Sequence, residues 1–380
     1  MKILHTADLH LGRPFNGLSL EADHQAVLDQ IAQAILHHRP EVFIIAGDIF
    51  DRPSPPVSAV RQFNAFLKQV AAETGVAVVM IAGNHDSGDR FGAMSAFADT
   101  ARALIRGPLL AEELPLVLHD AHGPVAISAL PFGYEYAARE CFADPAIATP
   151  EDVVRTQLDA ARRHVPDGAR WVVVAHAFVA GASSSEGERS LVRVGGIETV
   201  PSEVFAGAHY VALGHLHRAQ TAGAAHIRYS GAPLAFGFDE AGESKSMTLV
   251  ELDAAGAVAI STIPFTPPRG VRVLHGRLAD LLLAPPSTDF VKVVLADQER
   301  LIEPMKQLRA LYPNICHLSY ARDERAPDAK SAVQAGTRLN EPFEVIGDFL
   351  ELVRGQRLSE PEARLAADVL HSLRHDEDAR

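Results

Sequence analysis

The sequence contains little of what stabilises extracellular or membrane-spanning proteins. Its 380 residues include two cysteines, Cys141 and Cys316, which are far apart and lack CxxC spacing. This usage indicates unpaired thiols in a reducing compartment rather than a disulfide framework. There is no run of about 18 apolar residues, so we expect no membrane span. Because His5, Asp8 and His10 interrupt the first apolar run, we expect no signal peptide and a cytoplasmic location.

Positive charge is also scarce. The chain has 35 Lys and Arg residues against 48 Asp and Glu residues, which gives a formal net charge of −13 at pH 7. This balance argues against a protein that holds nucleic acid by broad electrostatic attraction alone. It does not exclude a nucleic-acid enzyme, because bound divalent cations or a basic partner can supply the missing charge. The length indicates two domains, or one large domain with additions.

Strand and helix patterns alternate through the first half of the chain. Amphipathic stretches predict helices over residues 20–39 and 58–74. Short apolar runs predict strands over residues 2–7, 41–47, 76–83, 124–130, 170–177, 209–215, 226–231, 246–252 and 257–263. The β-α-β-α-β order at the start implies right-handed crossovers and a sheet covered by helices. The last four strands lack long helices between them, which predicts a second sheet with hairpin-like connections that packs on the first.

The pattern changes near the FTPPRG segment at residues 265–270, which is a linker signal. A small β-α-β unit follows, with its helix expected at residues 299–313. The polar stretch 321–342 is punctuated by Pro and Gly and predicts a linker. We therefore divide the chain into a main domain, a capping domain, a linker and a helical partner-binding segment, at residues 1–268, 269–322, 323–341 and 342–380.

Two amphipathic helices are predicted in the tail, over residues 342–355 and 359–375. The second begins with a Ser359–Glu362 capping box. Two short helices cannot bury their apolar faces alone, so we expect them to dock onto a partner helix or coiled coil.

Polar residues that can bind metal ions follow five of the predicted strands, where each strand ends. They occur in the segments ADLH (7–10), GDIFD (47–51), GNHD (83–86), AH (175–176) and GHLH (214–217). Ligand sites of open α/β folds gather at the carboxyl ends of strands, so these side chains are expected to converge. Each motif is weak alone, since a lone GNH is commonly a turn. The ordered set predicts a metal site.

The candidate ligands are seven, namely Asp8, His10, Asp48, Asn84, His176, His215 and His217. Carboxylate, imidazole and amide-oxygen ligands favour borderline divalent ions such as Mn²⁺, Zn²⁺ or Fe²⁺. Such a number is too large for one tetrahedral ion and fits two ions that share a bridging carboxylate. A pair of this kind lowers the pKa of a bridging water and clamps both the attacking and the leaving oxygens of a phosphoryl group.

These motifs resemble those of the calcineurin-like metallophosphoesterases, most specifically the nuclease subunits of SbcCD-type DNA-repair complexes. The matching segments are ILHTADLHLGR (3–13), AGDIFDRPSPP (46–56), IAGNHDS (81–87), AHAFVAGASSSEGER (175–189), ALGHLHRAQ (212–220) and YSGAPLAFGFDE (229–240). The resemblance runs from residue 1 through at least Glu240 and continues more loosely beyond. It implies an α/β fold, a two-sheet sandwich flanked by helices, with a small α/β capping domain and a helical C-terminal tail.

The resemblance also implies an activity. Proteins of this kind are Mn²⁺-dependent exonucleases on duplex DNA and endonucleases on single strands or hairpins, and they use a metal-activated water. They act with an SbcC-type ATPase in DNA repair, so a homodimer within a heterotetramer is expected. By resemblance, one metal ion is held by Asp8, His10 and His217, the other by Asn84, His176 and His215, with Asp48 as the bridge.

Three further residues carry candidate catalytic roles by resemblance. His85 would protonate the leaving 3′ oxygen or stabilise the transition state, a role suited to an imidazole near neutral pH. Asp86 would orient His85 or a neighbouring group, and a turn cap is an equal alternative. Asp51 stands where some archaeal relatives have a histidine, so a second catalytic histidine is not expected there. Asp51 is instead a candidate for ordering Asp48 or a ligand histidine.

Two interpretations stay open for several other features of the sequence. Residues 183–190 either touch DNA or gate the site, or form a solvated hairpin tip, which we favour. Arg13, Arg90 and Arg218 either meet phosphates or form surface ion pairs. The apolar residues of 91–97 and of the 58–74 helix serve either homodimerisation or the core. Histidines without a strand-end context are expected at the surface, namely His24, His37, His38, His119, His122, His164, His371 and His375.

Three functions compete at this stage. The first is a two-metal DNA nuclease within an ATPase complex. The second is a phosphoesterase for a small phosphodiester or a phosphoprotein, which would use the same metal ions but would not need a cap and a helical tail. The third is a scaffold with a decayed site, which should have lost a ligand or His85, and all of them are present. These features favour the nuclease.

Overall fold

The structure is a computed structural model that describes residues 1–97, 99–188, 192–193, 196–197, 199–324, 359 and 361–365. Its strands are β1 (Lys2–Thr6), β2 (Pro14–Phe15), β3 (Leu18–Ser19), β4 (Val42–Ile45), β5 (Ala77–Ile81), β6 (Ala103–Arg106), β7 (Leu116–Asp120), β8 (Gly123–Leu130), β9 (Arg170–His176), β10 (Val192–Arg193), β11 (Gly196–Ile197), β12 (Tyr210–Gly214), β13 (Gln220–Ala222), β14 (Ala224–Tyr229), β15 (Ser246–Leu252), β16 (Val258–Pro264), β17 (Val271–Gly276), β18 (Phe290–Leu295) and β19 (Ile315–Tyr320).

The helices occupy the connections between these strands. The α-helices are α1 (Glu21–His38), α2 (Val57–Glu73), α3 (Gly88–Gly92), α4 (Glu135–Phe142), α5 (Pro150–Arg162), α6 (Leu278–Leu281), α7 (Pro304–Leu308) and α8 (Ala321–Glu324). Short 3₁₀ turns cover Ala93–Phe97, Ser202–Phe205 and Phe238–Glu240. Within the described residues, none of the helices combines the length and the apolar character that a membrane crossing requires.

Two six-stranded sheets form the α/β sandwich that the sequence predicted. The first has the order β16-β15-β1-β4-β5-β6 and the second the order β13-β14-β12-β9-β8-β7. The middle strands of each sheet are parallel, as β-α-β connections require. Alternate side chains of β4 separate onto the two faces of its sheet. Ile44 joins the core shared by both sheets, whereas Phe43 contacts Phe66 of α2, with ring centroids 6.0 Å apart.

One prediction about the sheets was wrong. The strands at residues 246–252 and 257–263 belong to the first sheet, because β15 pairs antiparallel with β1 and β16 pairs antiparallel with β15. The parallel pairing of β12 with β14 also excludes a direct hairpin between them. The sequence could not show which sheet β15 joins, because β15 is apolar on both faces. Met247 packs with the helix-side core and Val250 with the core shared by both sheets.

The predicted helix over residues 299–313 is also shorter than expected. It is reduced to α7, which starts at Pro304 after Glu303 in a left-handed conformation with φ 45°. Proline favours the first turn of a helix and lacks the N–H that an interior position needs. The chain around it supplies strands β17, β18 and β19, which form a three-stranded sheet in that order. Residues 321–324 form α8 and are therefore not part of a linker.

The chain divides into two compact units. The first comprises Met1–Leu274, Leu282–Val293 and Glu303–His317, and it contains both six-stranded sheets. The second comprises His275–Leu281, Val294–Ile302 and Leu318–Arg380, and in it the Ala296 amide donates to the Gly276 carbonyl at 2.8 Å. The linker from residue 325 and the two tail helices lie outside the described residues, except for Ser359 and 361–365. There, Glu362 accepts a hydrogen bond from the Ser359 amide at 2.8 Å, as the capping box predicted.

Candidate metal centre

The seven predicted ligands converge at the carboxyl ends of the strands of both sheets. Asp8 and His10 follow β1, Asp48 follows β4 and Asn84 follows β5, whereas the remaining three lie at the ends of β9 and β12. Every one of the seven is buried, with side chains between fully enclosed and 8% exposed. Burial of so many polar groups costs free energy unless they bind one another or a charged ligand.

One group of ligands consists of Asp8, His10 and His217, each of which offers one atom within 4.8 Å of the others. The Nε2 atoms of His10 and His217 lie 3.1 Å apart and face each other. Burial lowers the pKa of both imidazoles well below the usual value, which favours the neutral form that binds metal ions. A divalent cation between these two nitrogens and the Asp8 carboxylate would satisfy all three groups.

A second group surrounds the side-chain amide of Asn84. Its Oδ1 lies 3.0 Å from Nε2 of His176 and 3.1 Å from Nδ1 of His215. The other nitrogen of His176, Nδ1, lies 2.9 Å from the Ala46 carbonyl and must donate to it, which leaves Nε2 free to bind a cation. Burial lowers the pKa of His215 to about 3, so that imidazole is neutral. The Asn84 amide oxygen and one nitrogen of each imidazole therefore meet at one point.

Asp48 lies between the two groups. Its Oδ2 is 3.7 Å from Nε2 of His10 and 3.5 Å from Nε2 of His176, while Oδ1 accepts a hydrogen bond from the His85 amide at 2.9 Å. Burial alone would raise the pKa of Asp48, but His176, His10 and His85 hold it well below its usual range. One carboxylate oxygen thus faces both groups of ligands, which is the geometry of a bridge.

The electrostatics of the centre fit divalent cations. Burial, reinforced by Asp48, raises the pKa of Asp8 well above its usual value. Burial would lower the pKa of His176, yet Asp48 raises it to about 9. The centre thus takes up protons when no other cation balances its carboxylates, and metal ions would displace those protons. The facing imidazole nitrogens, the opposed carboxylates and the amide oxygen all fit a pair of such ions.

The backbone of the ligand loops is strained. Asp8, His10, Asp48 and His215 have positive φ values of 55°, 44°, 51° and 108°, which residues other than glycine rarely adopt. Such conformations persist only where the surrounding structure enforces them, and they cluster at functional sites. Here they turn the chain shortly after the ends of β1, β4 and β12, in the loops that carry the candidate ligands.

Glycines leave room for the ligands to approach. A Cβ atom at Gly83 would lie 2.2 Å from Oδ1 of Asp48, so only glycine fits there. Gly83 is needed for this close approach rather than for a left-handed turn, because its φ is not positive. At Gly47 the φ is +91° and a Cβ would lie 2.4 Å from Nδ1 of His176. The glycines of GDIFD and GNHD therefore position their neighbouring ligands by their lack of a side chain.

The candidate catalytic residues lie beside the bridge. Nε2 of His85 is 4.0 Å from Oδ2 of Asp48, and its Nδ1 is 2.8 Å from the main-chain carbonyl of Asp51. The Asp51 carboxylate is 4.0 Å from Nδ1 of His10 and 3.8 Å from Nε of Arg13. Asp51 thus reaches His85 through its backbone and His10 through its side chain.

Asp86 binds backbone rather than another side chain. Its Oδ2 accepts hydrogen bonds from the amides of Ile49 at 3.1 Å and Gly83 at 3.0 Å, and its Oδ1 accepts one from Phe50 at 2.9 Å. It therefore ties the loop of Asp48 to the loop of Asn84 and His85. This arrangement corresponds to the turn-cap alternative, extended across two loops.

Sequence reasoning missed a buried network behind His217. Oε1 of Glu188 accepts a hydrogen bond from the His217 amide at 2.6 Å, and the Lys245 ammonium donates to the His217 carbonyl at 3.1 Å. Lys245 also pairs with Glu240, whose Oε1 accepts from the Phe236 amide at 2.9 Å. The segment 183–190 is thus tied to a ligand loop at Glu188, while Ser183, Ser184 and Glu186 are exposed, and both interpretations of the segment stay predictions. The sequence held one signal of this network. Glu188 and Glu240 are charged residues inside the segments that resemble the family, 175–189 and 229–240.

The structure also resolves the flanking basic residues and histidines. Arg218 pairs with Glu243 at 2.7 Å, which favours the surface ion-pair interpretation. Arg90 instead donates to the Pro53 carbonyl at 3.2 Å, a contact that neither interpretation included. Arg13 lies closer to the centre, with its guanidinium 4.6 Å from the centroid of the Phe236 ring. His24 was expected at the surface but is only 1% exposed, because it lies on the face of α1 that packs inward.

Comparison with known proteins agrees with this geometry. The family model for calcineurin-like phosphoesterases matches residues 1–219, and the chain belongs to that family. Membership implies the use of divalent metal ions. A second model, described as the type 5 capsule protein repressor C-terminal domain, matches residues 267–354. The chain is similar to the SbcD subunit of the nuclease SbcCD of Staphylococcus epidermidis, with 28% identity over 323 residues, which cover 84% of this chain and 85% of that protein.

Proposed function

We propose that this chain is a two-metal DNA nuclease. The observation that carries the proposal is the position of Asp48, whose Oδ2 faces His10 on one side and His176 on the other at 3.7 and 3.5 Å. Similarity to the SbcD subunit of the nuclease SbcCD over 84% of the chain supports DNA as the substrate. We propose Mn²⁺ as the metal, since the mixed oxygen and nitrogen ligands suit it.

The two groups of candidate ligands indicate which residues would hold each metal ion. Asp8, His10 and His217 would hold one ion, Asn84, His176 and His215 the other, and Asp48 both. When bound, such ions make a water molecule nucleophilic near neutral pH and neutralise the charge of the phosphate. Burial keeps the imidazoles of His10, His215 and His217 neutral, and a backbone contact with the Ala46 carbonyl fixes the orientation of His176.

His85 supplies the proton for the leaving oxygen in this proposal. Its Nδ1 donates to the Asp51 carbonyl, so its Nε2 carries the second proton when the ring is protonated. Nε2 lies 4.0 Å from Oδ2 of Asp48 and so faces the proposed bridge. Transfer of the Nε2 proton to the leaving 3′ oxygen would complete the cleavage of the phosphodiester bond.

The more detailed proposal for the activity follows from the resemblance of the sequence motifs to those of SbcCD-type nucleases. We propose exonuclease action on duplex ends and endonuclease action on single strands and hairpins, with an SbcC-type ATPase as partner in DNA-end processing in the cytoplasm. The capping and partner-binding roles of residues 269–322 and 342–380, and a homodimer within a heterotetramer, belong to the same proposal. The candidate dimer contact is a pocket of about 360 Å³ lined by the partly exposed Phe50 and Met94, beneath which Phe91 is buried.

The test is Mn²⁺-dependent degradation of end-labelled duplex and hairpin DNA by the wild-type chain, beside Asp48→Ala, His85→Ala and the exposed control His164→Ala. Hydrolysis of bis-p-nitrophenyl phosphate runs in parallel. Shortened DNA with the wild type and the control, and loss with both site variants, is expected. If the wild type cleaves only the small diester, even with an SbcC-type ATPase and ATP present, the substrate is not DNA.

A further inference from the structure

A series of aromatic rings leads from the metal centre to the protein surface. The ring of the ligand His176 contacts Phe132 edge-on, with 6.3 Å between centroids, and Phe132 contacts Tyr134 edge-on at 5.0 Å. Tyr134 then stacks on Tyr136, with centroids 5.6 Å apart and planes inclined by 11°. Exposure rises along the series. Phe132 is half-buried, Tyr134 is 41% exposed and Tyr136 is 64% exposed.

The backbone that carries these rings is held in place. The Phe132 amide donates to the Ala82 carbonyl at 2.9 Å, two residues before the ligand Asn84. A Cβ atom at Gly133 would lie 2.6 Å from the Leu109 side chain, so this segment packs closely. Tyr134 is the N-cap residue of α4, and its carbonyl accepts the first helical hydrogen bond at 3.0 Å. The rings therefore project from a fixed strand-to-helix turn beside a ligand loop.

Folding does not explain the exposure of these two rings. The sequence has six tyrosines, and the other four, Tyr210, Tyr229, Tyr312 and Tyr320, are at most 5% exposed. Large aromatic surface left in water is unfavourable, and where it forms a continuous patch it commonly marks a binding site. Stacked rings of this kind bind nucleic-acid bases without sequence preference, because every base has a π-face. Stacking also needs no positive charge, which suits a chain of net charge −13.

We propose that Tyr134 and Tyr136 form a stacking platform for unpaired bases of the DNA strand whose phosphate lies at the metal centre. The inference rests on the proposed nuclease function and specifies its substrate, a strand that is single-stranded or unpaired where it is cut. The continuity of the platform with His176 favours substrate over a protein partner, since base and phosphate belong to the same strand. A duplex would have to unpair next to the centre before its bases could reach the platform.

The experiment compares Tyr134→Ala/Tyr136→Ala with Tyr134→Phe/Tyr136→Phe, which keeps both rings. Two single-stranded substrates of equal length are used, one with all bases and one made entirely of abasic residues. The KM and kcat of Mn²⁺-dependent cleavage are measured for each protein variant with each substrate. The alanine variant should raise KM for the normal strand about tenfold, as loss of one base stack does. The phenylalanine variant should match the wild type, and the alanine variant should lose nothing further on the abasic strand.

A fluorescence signal tests the stacking directly. The probe is a phosphorothioate oligonucleotide that contains 2-aminopurine. Its fluorescence should be quenched by the wild type and the phenylalanine variant, and not by the alanine variant. Equal KM values and equal quenching for wild type and alanine variant would overturn the platform while leaving the nuclease standing. If the alanine variant binds DNA as the wild type does but self-associates more weakly, the two rings belong to a contact between protein chains instead. A wild type that hydrolyses bis-p-nitrophenyl phosphate but neither binds nor cuts any DNA would overturn both proposals.

Discussion

The Nδ1 atom of His85 lies 2.8 Å from the main-chain carbonyl oxygen of Asp51. Since a carbonyl can only accept, this contact fixes the proton on Nδ1 and points Nε2 towards Asp48. The orientation of the candidate acid thus depends on the backbone of GDIFD, and this loop is itself tied to the GNHD loop by Asp86. The backbone of these two loops therefore holds Asp48, the proposed bridge, next to His85, the proposed proton donor.

The first prediction concerns the leaving group. His85→Ala should lower kcat for DNA by about 10²–10⁴-fold, because a 3′ alkoxide leaves poorly without a proton donor. It should lower kcat for bis-p-nitrophenyl phosphate far less, because p-nitrophenolate leaves without protonation. Steady-state kinetics on the two substrates give the comparison, with His164→Ala as the exposed control. Equal losses on both substrates would show that His85 acts on something other than the leaving oxygen.

The second prediction separates the backbone of Asp51 from its side chain. Asp51→Ala retains the carbonyl that orients His85, and its carboxylate is only loosely placed at 3.8 Å from Arg13 and 4.0 Å from His10. We expect less than about tenfold loss of kcat on DNA, since each tenfold corresponds to about 1.4 kcal/mol and a loose ion pair supplies less. A loss as large as that of His85→Ala would mean that the carboxylate itself takes part in the reaction.

The third prediction concerns the three amides held by Asp86. In Asp86→Asn one acceptor oxygen becomes a donor, so at least one loop amide loses its partner. The free energy of unfolding should fall by about 1–3 kcal/mol, and Mn²⁺ affinity should fall with it, because both ligand loops loosen. Urea denaturation and calorimetric Mn²⁺ titration measure the two effects, with the exposed Asp89→Asn as the matched control. Unaltered stability and affinity would contradict the tie between the loops.

The fourth prediction is a pH dependence of stability due to His24. Burial lowers the pKa of this histidine to about 4, with a smaller opposing effect of Asp23, and its ring nitrogens have no hydrogen-bond partner among the described residues. In the unfolded chain the pKa is about 6.5, so between about pH 6.5 and 4 only the unfolded state takes up the proton. Stability due to this site is therefore complete above about pH 6.5 and decreases as the pH falls.

His24→Leu removes this proton uptake. Relative to the wild type, the variant should gain about 2 kcal/mol of unfolding free energy between pH 7 and pH 4.5. Denaturant unfolding at several pH values, with the exposed His164→Leu alongside, measures the difference. Parallel pH profiles for wild type and His24→Leu would show that His24 is protonated in the folded chain or reaches water.

Some of this structure was accessible from the sequence and some was not. Most strands of the two large sheets, and the convergence of the candidate ligands at their ends, were predictable, because apolar runs followed by Asp, Asn or His are local signals; the edge strands β6 and β7 were not predicted. Helix α5 also had such a signal, since Thr149 and Asp152 form a capping box at its start, yet we did not predict it. The contact of Glu188 with His217 spans 29 residues of chain and depends on tertiary packing, which local patterns do not contain. The same holds for His24, whose exposure depends on what packs against α1.

The central claim is that Asp48 joins two metal ions into one centre. Calorimetric titration of the wild-type chain with Mn²⁺, beside Asp48→Ala and His217→Ala, tests it most directly. We predict two ions per wild-type chain, severe loss of both in Asp48→Ala, and loss of one in His217→Ala, because Asp48 faces both ligand groups, whereas His217 belongs to one of them. A single ion in the wild type, or two ions bound with unchanged affinity in Asp48→Ala, would contradict the bridged two-metal centre.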